Sequence, residues 1–183
     1  MLNHLGTINL ETEKLLLRKL TINDTPNYFK HITSDPDIMW VWGVHNTIDK
    51  TYEWIEKIIK NYEKINEYEW GIELKENKEV IGSICIVKTN EEIKSGSLGY
   101  QISKHYRNKG YMTEALVCVL NYLINKIGYN RIEGGHSSDN PASGRVMEKA
   151  GMKYEGTYRQ DSKNKNGILV NGIIYSLIKE DIR

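Results

Sequence analysis

Residues 101–115, Gln101-Ile102-Ser103-Lys104-His105-Tyr106-Arg107-Asn108-Lys109-Gly110-Tyr111-Met112-Thr113-Glu114-Ala115, end a strand, pass through a short basic loop and open a long helix. The first turn of a helix exposes unpaired N–H groups and the positive end of its dipole. Gly110 lets the backbone come close to a ligand, and Arg107 and Lys109 add positive charge. That combination suits a pyrophosphate. An ordinary strand–helix connection with solvated basic residues has the same composition. The loop is not a Walker A loop, because the Gly-Lys-Ser/Thr ending is absent. It is not the dinucleotide fingerprint, because its three spaced glycines are missing. A second stretch, residues 140–152, starts with Asn140 as a good N-cap and Pro141 as a good first helical residue. Val146 and Ala150 are expected to face inward, with Arg145, Glu148 and Lys149 wet. Taken alone, this is a well-capped short helix. His136 stands at the end of the strand before it, with an unperturbed pKa suited to base work.

The elements that position these residues follow from hydrophobic period. Residues 15–20 read as a first strand. Thr21 and Asp24 carry helix-start chemistry, with Tyr28, Phe29 and Ile32 on one face and Asp35-Pro36 as the stop. Residues 38–42 are short and aromatic. A longer helix begins near Thr47, with Ile48, Tyr52, Ile55, Ile59 and Tyr62 as its apolar stripe. The period then falls to two, giving strands near 70–74, 80–87 and 97–103. Residues 111–127 return to a helical pattern, closed by Gly128, which takes positive φ without steric cost. A strand at 131–136, a helix at 142–150 closed by Gly151, and a hairpin from 154–159 and 169–178 complete the chain. The order β-α-α-β-β-β-α-β-α-β-β predicts a single α/β domain over residues 1–183 with a mixed sheet.

Composition narrows the function. Lys and Arg number 25 against 24 Asp and Glu, a formal charge of +1, which disfavours a nucleic-acid binder working through a basic surface. Apolar residues at 39% and charged residues at 27% support a sizeable core. No apolar run is long enough to cross a bilayer and no signal peptide is visible, so a soluble cytoplasmic protein with no membrane partner is expected. Cys85 and Cys118 read as buried free thiols, with a catalytic cysteine as the sharper alternative. No Cys/His spacing resembles a zinc site, and no metal is expected.

Taken together, the two stretches resemble the GNAT superfamily of N-acetyltransferases. They are most similar to the branch containing the ribosomal-protein N-terminal (alanine/serine) acetyltransferases. Arg107-Asn108-Lys109-Gly110-Tyr111-Met112 resembles the superfamily's pyrophosphate motif, Gln/Arg-x-x-Gly-x-Gly/Ala, and Thr113-Glu114-Ala115 continues it. Gly99-Tyr100 matches the strand before the loop. Asn140-x-x-Ser143, then Glu148-Lys149-x-Gly151, resembles the second family motif. The resemblance implies a mostly antiparallel sheet of about seven strands with helices on both faces, the fourth strand splaying from the fifth, residues 131–136, to leave a V-shaped cleft. It implies acetyl-CoA as co-substrate in that cleft. Its pyrophosphate would lie on backbone N–H groups of residues 107–112. Its pantetheine arm would pair with backbone at residues 98–103, a form of β-augmentation. The cofactor-binding set is then Gln101, Ile102, Ser103, Arg107, Asn108, Lys109, Gly110, Tyr111, Met112, Thr113, Asn140, Ser143 and Lys149, with Ser143 near the thioester sulfur. Two departures stand out. Met112 occupies a position that is normally very small, so its side chain must point away from the phosphates. Ser97 and Leu98 stand where relatives often carry an acid.

The implied reaction moves an acetyl group from a thioester to a primary amine. The acceptor must lose a proton, and the thiolate, with a pKa of ~8.5, must be stabilised. An α-amine, near ~8, needs less help than a lysine-like amine near ~10.4. Ser143 is the expected general acid and His136 a candidate base. The backbone N–H of Tyr100 is a candidate for polarising the thioester carbonyl. Glu92, Glu155, Asp161 and a water chain stay open as bases. Trp40, Trp42, Trp54 and Tyr111 read as packing or acceptor-site wall. The acceptor is a protein N-terminus or a small amine such as a polyamine, amino acid or antibiotic, and the protein a monomer or homodimer. A non-catalytic acyl-CoA-binding module is the reading from another class, motivated by Met112 and the missing acid.

Overall fold

Alternating strands must bury one face each, and here they share one sheet. The computed structural model describes residues 1–39 and 42–182. Its strands are β1 (Leu10–Glu11), β2 (Leu15–Arg18), β3 (Glu69–Leu74), β4 (Val80–Asn90), β5 (Ser95–Ile102), β6 (Arg131–Ser137), β7 (Lys153–Lys163) and β8 (Leu169–Ile178). They run in the order β1-β2-β3-β4-β5-β6-β8-β7. The seven expected strands are present, and β1 is an addition at the edge. Its two residues pair with Leu17 and Leu16 and are too few to carry a period. Neighbours are antiparallel except β5 and β6, which run parallel.

Helices cover both faces. On one side lie α1 (Thr25–Tyr28), which runs into a π-helical turn at Phe29–Thr33, then α2 (Pro36–Met39) and α3 (Ile48–Asn61). Leu20, Tyr28, Ile32, Met39, Ile55 and Ile58 form the core there. On the other side lie α4 (Tyr111–Tyr122), extended by a π-helical turn at Leu123–Ile127, and α5 (Pro141–Lys149). The larger core, with Leu15, Trp70, Ile84, Leu116, Val119 and Leu123 fully buried, sits beneath them. Each such aliphatic side chain contributes roughly 1.5–3 kcal/mol. Gly128 and Gly151 end their helices at φ of 90° and 89°, as their sequence positions imply.

Two local readings are corrected. Pro36 opens α2 rather than only closing the preceding helix, since the first turn needs no N–H from it. In α3 the buried stripe is Thr51, Ile55 and Ile58, while Ile48, Tyr52 and Ile59 are exposed. The helix is turned toward a buried polar seam, in which Thr51 Oγ1 bonds Thr33 Oγ1 at 2.6 Å and His45 Nδ1 at 2.9 Å. Hydropathy does not register a threonine buried through its hydroxyl. In α5, Val146 and Ala150 pack half-buried against the core as expected, beside the buried Gly144 and Met147.

The feature that matters for function is the short seam between β5 and β6. It holds only at Ser95↔Arg131, Gly96↔Ile132 and Ser97↔Glu133, closed by Ser97 Oγ donating to Glu133 at 2.7 Å. Beyond it the strands part. Leu98 and Met147 crowd Gly134 so closely that a Cβ there would lie 3.0 Å from the Met147 sulfur. β6 instead pairs along its whole length with β8, and the expected cleft lies open on the β5 side.

Candidate active site

The basic loop is built around two left-handed residues, Asn108 at φ 61° and Gly110 at φ 84°. Glycine takes that conformation freely and asparagine with little strain. Gly110 is the N-cap of α4, and its carbonyl accepts from Glu114 N at 3.0 Å. Among the described residues, the N–H groups of residues 108–113 have no protein acceptor. All of these residues except Lys109 line, at the dipole's positive end, a cavity of about 770 Å³. Met112 is buried in the core, so it presents backbone alone, as its bulk requires. Arg107, Asn108, Tyr111 and Thr113 line the cavity, and Arg145 and Lys149 bring charge from α5. Lys109 is not on the cavity wall; its ammonium sits 5.2 Å from the Tyr106 ring centre.

The open edge of β5 is the second wall. Ser103 N donates to Ile81 O at 2.9 Å, and the register pairs Gln101 with Ser83 and Gly99 with Cys85. Antiparallel pairing alternates. Gln101 and Gly99 therefore direct their backbone groups at β4, while Tyr100 and Ile102 direct theirs into the gap. The side chains alternate in turn. Gln101 Nε2 donates to Tyr28 OH at 2.9 Å on the α1 face. Ser103 is buried, its hydroxyl 3.3 Å from His31 Nδ1. Ser103 does not line the cavity; Gln101 does, with its carboxamide committed to Tyr28 and Ser83.

The third wall is the start of α5. Asn140 is the N-cap by position, yet its side chain makes no capping bond, which leaves the carboxamide uncommitted beside the cavity. Ser143 Oγ donates to Tyr100 OH at 2.7 Å, and Tyr100 OH donates to the Ser143 carbonyl at 2.8 Å. This pair ties α5 to β5 across the parted strands. Burial pushes the Tyr100 phenol up to about 12. His136 goes elsewhere. Its Nδ1 lies 2.8 Å from Ser137 O, its ring stacks on Tyr175, and a Cβ on Gly144 would lie 2.5 Å from its Nε2. The ring is packed under α5 and is not on the cavity wall. Glu155 is held by Arg131 and Ser176, which pull its carboxyl down to about 2. Glu92 and Asp161 are exposed and border neither cavity.

A smaller cavity of about 300 Å³ lies on the α3 face and meets the first at Tyr100 and Gln101. Trp42 and Trp54, 6.4 Å apart edge to face, form part of its wall; Trp40 lies outside the described residues. Glu69 and Cys85 line its sheet side. Burial, with Glu67 nearby, raises the Glu69 carboxyl to about 7. Burial also pushes the Cys85 thiol up to about 12, the opposite of what a nucleophile needs. Both cysteines are free and half-buried. Glu69 is silent in the sequence because it stands just before the apolar alternation of residues 70–74, although the strand itself begins with it.

A parted sheet beside a donor-rich helix start defines a group-transfer enzyme of the N-acetyltransferase class. The chain belongs to the acetyltransferase (GNAT) domain family, which matches residues 14–153. It is 31% identical over 173 residues to the uncharacterized N-acetyltransferase YoaA of Bacillus subtilis (strain 168), covering 93% of this chain and 96% of that one. A GNAT-family acetyltransferase structure from Bacillus anthracis aligns with a TM-score of 0.79 at 26% identity, covering 94% of this chain and 99% of that one. RimL, a ribosomal L7/L12 alpha-N-protein acetyltransferase in complex with coenzyme A, shares the fold with a TM-score of 0.82 at 17% identity, covering 93% and 98% of the two chains. No helix among the described residues is long and apolar enough to cross a membrane.

Proposed function

We propose that the chain, acting as one domain, transfers acetyl from acetyl-CoA to the N-terminal α-amine of a protein. The observation that carries this reading is the run of N–H groups at residues 108–113, without protein acceptors, beside the open edge of β5. Those donors, with Arg107, Arg145 and Lys149, would hold a diphosphate. Tyr100 and Ile102 offer backbone groups to an amide-bearing arm, and Asn140 offers its free carboxamide from the facing wall. The bound co-substrate supplies an activated acetyl thioester. The Tyr100 N–H is aimed into the gap, where it can polarise a carbonyl. By turning one of its two O–H groups away from its present acceptor, the Ser143–Tyr100 pair would stabilise a departing thiolate by hydrogen bonding. With the phenol near 12, donation of a bond is easier than release of the proton. Gln101 lines the cavity, while Lys109, Ser103 and His136 do not; His136 is therefore not assigned the base. The α-amine acceptor is favoured by its pKa of ~8, which asks little of a base, and by the acceptor named for RimL.

Calorimetry with coenzyme A, followed by acetylation of peptides starting in Ser or Ala, tests this. Expected are saturable binding and N-terminal acetylation. Acetylation confined to an internal lysine or to spermidine would overturn the α-amine reading, and lack of affinity for coenzyme A would overturn the whole.

A further inference from the structure

The second cavity has the composition of a receptor for a cation. Its α3 side presents the rings of Trp42, Trp54 and Tyr62, and its sheet side presents Glu67 and Glu69. Aromatic faces and carboxylates together attract an ammonium. The sheet register explains how a carboxyl on β3 can serve a reaction at β5. Glu69 pairs with Cys85 on β4, and Cys85 pairs with Gly99 on β5. All three side-chain positions lie on the same face. The two positions between Glu69 and the gap are thus a cysteine and a glycine, which leave the way past β4 open. Tyr100, the next residue, borders both cavities.

The other carboxylates near the gap are engaged. Glu155 is paired with Arg131, and Glu133 accepts from Ser97 and Arg131. By contrast, no side chain among the described residues donates to the Glu69 carboxylate. Among the described residues, the groups facing it are Glu67 on the approach to its own strand, Cys85 on β4, Tyr28 on α1 and Tyr62 at the C-cap of α3. None is a cation, so nothing in the pocket competes with an incoming ammonium.

We propose that Glu69 is the group that takes the proton from the acceptor amine, and that the cavity under α3 receives this amine as an ammonium. The inference rests on the acetyl-transfer reading and deepens it. One N–H bond of the ammonium breaks, its proton passes through water in the cavity to the Glu69 carboxylate two strands away, and the nitrogen keeps the electron pair. That pair forms the C–N bond to the acetyl carbon. The C–S bond breaks with its electrons on sulfur, and the amide nitrogen sheds a second proton, which the thiolate takes up. Glu69 returns its own proton to water. A carboxyl near 7 is suited to this at neutral pH.

The test uses Glu69→Gln and Glu69→Asp beside wild type. Glutamate-labelled protein is titrated by carboxyl NMR without co-substrate, turnover of a Ser-starting peptide is followed against pH, and coenzyme A affinity is measured by calorimetry. We expect one carboxyl titrating near neutrality that vanishes in Glu69→Gln. That variant should bind coenzyme A like wild type, turn over about 10²–10⁴-fold more slowly and lose the acid limb of the profile. Glu69→Asp should recover part of the rate. Wild-type turnover with an unchanged limb in Glu69→Gln overturns the inference and leaves the acetyl-transfer reading intact. So does the absence of any near-neutral carboxyl, whatever the turnover. Wild type that binds coenzyme A but acetylates no amine overturns both.

Discussion

Tyr100 and Ser143 exchange hydrogen bonds of 2.7 and 2.8 Å between elements that otherwise part company. On the proposed mechanism their hydroxyls meet charge only as it develops on sulfur. Removing one such donor costs about 10²–10³ in rate. Tyr100→Phe should therefore lower kcat at the bottom of that range while coenzyme A affinity holds. Steady-state kinetics with calorimetry check this, and an unchanged kcat would remove the pair from catalysis. The sequence pointed to Ser143 and Asn140 through a motif, and both line the cavity. It pointed to His136 by ring chemistry and a strand-end position, and the half-buried ring packs against Gly144, off the cavity wall. Glu69 was illegible because its meaning comes from Cys85 and Gly99, partners that only the register assigns.

The loop before α4 owes its position to a cluster drawn from three elements. Tyr106 OH donates to Glu79 at 2.5 Å, Lys30 pairs with Glu79 at 2.9 Å, and the buried His31 packs edge-on against Tyr106. Hydrogen bonds from Tyr106 and Lys30 hold the Glu79 carboxyl down to about 2, and burial lowers His31. Both signs run the same way. Glu79 contributes stability above its unfolded pKa of ~4.5, lost as pH falls toward 2; His31, neutral when folded, opposes protonation below ~6.5. The loop anchor should thus weaken progressively below about pH 6.5. Urea midpoints taken from pH 7 to pH 3 should show a shallower slope for Glu79→Gln than for wild type; parallel slopes would exclude the cluster as the cause. Elements with a strong period, β3 to β5 and α4, were legible from apolar spacing. The face of α3 was not, because Thr33, His45 and Thr51 bury hydroxyls and a ring that hydropathy counts as wet.

At the scale of the whole molecule, one sheet carries two separately paired parts, β1 to β5 and β6-β8-β7, joined by three residue pairs. If an amide-bearing arm docks on β5, protection from hydrogen exchange should rise in alternation. The amides of Tyr100 and Ile102 should slow on adding coenzyme A. Those of Gly99 and Gln101, already bonded to β4, should change little. Uniform protection across residues 98–102 would argue for closure of the strands instead of strand mimicry. The family motifs implied this parting. The turns, caps and periods around it are those of an ordinary mixed sheet, so nothing local announces it.

So narrow a join makes the chain a book with a short spine. If the proposed donor molecule lies between the leaves it would stitch them, and limited proteolysis should then run more slowly with coenzyme A than without it.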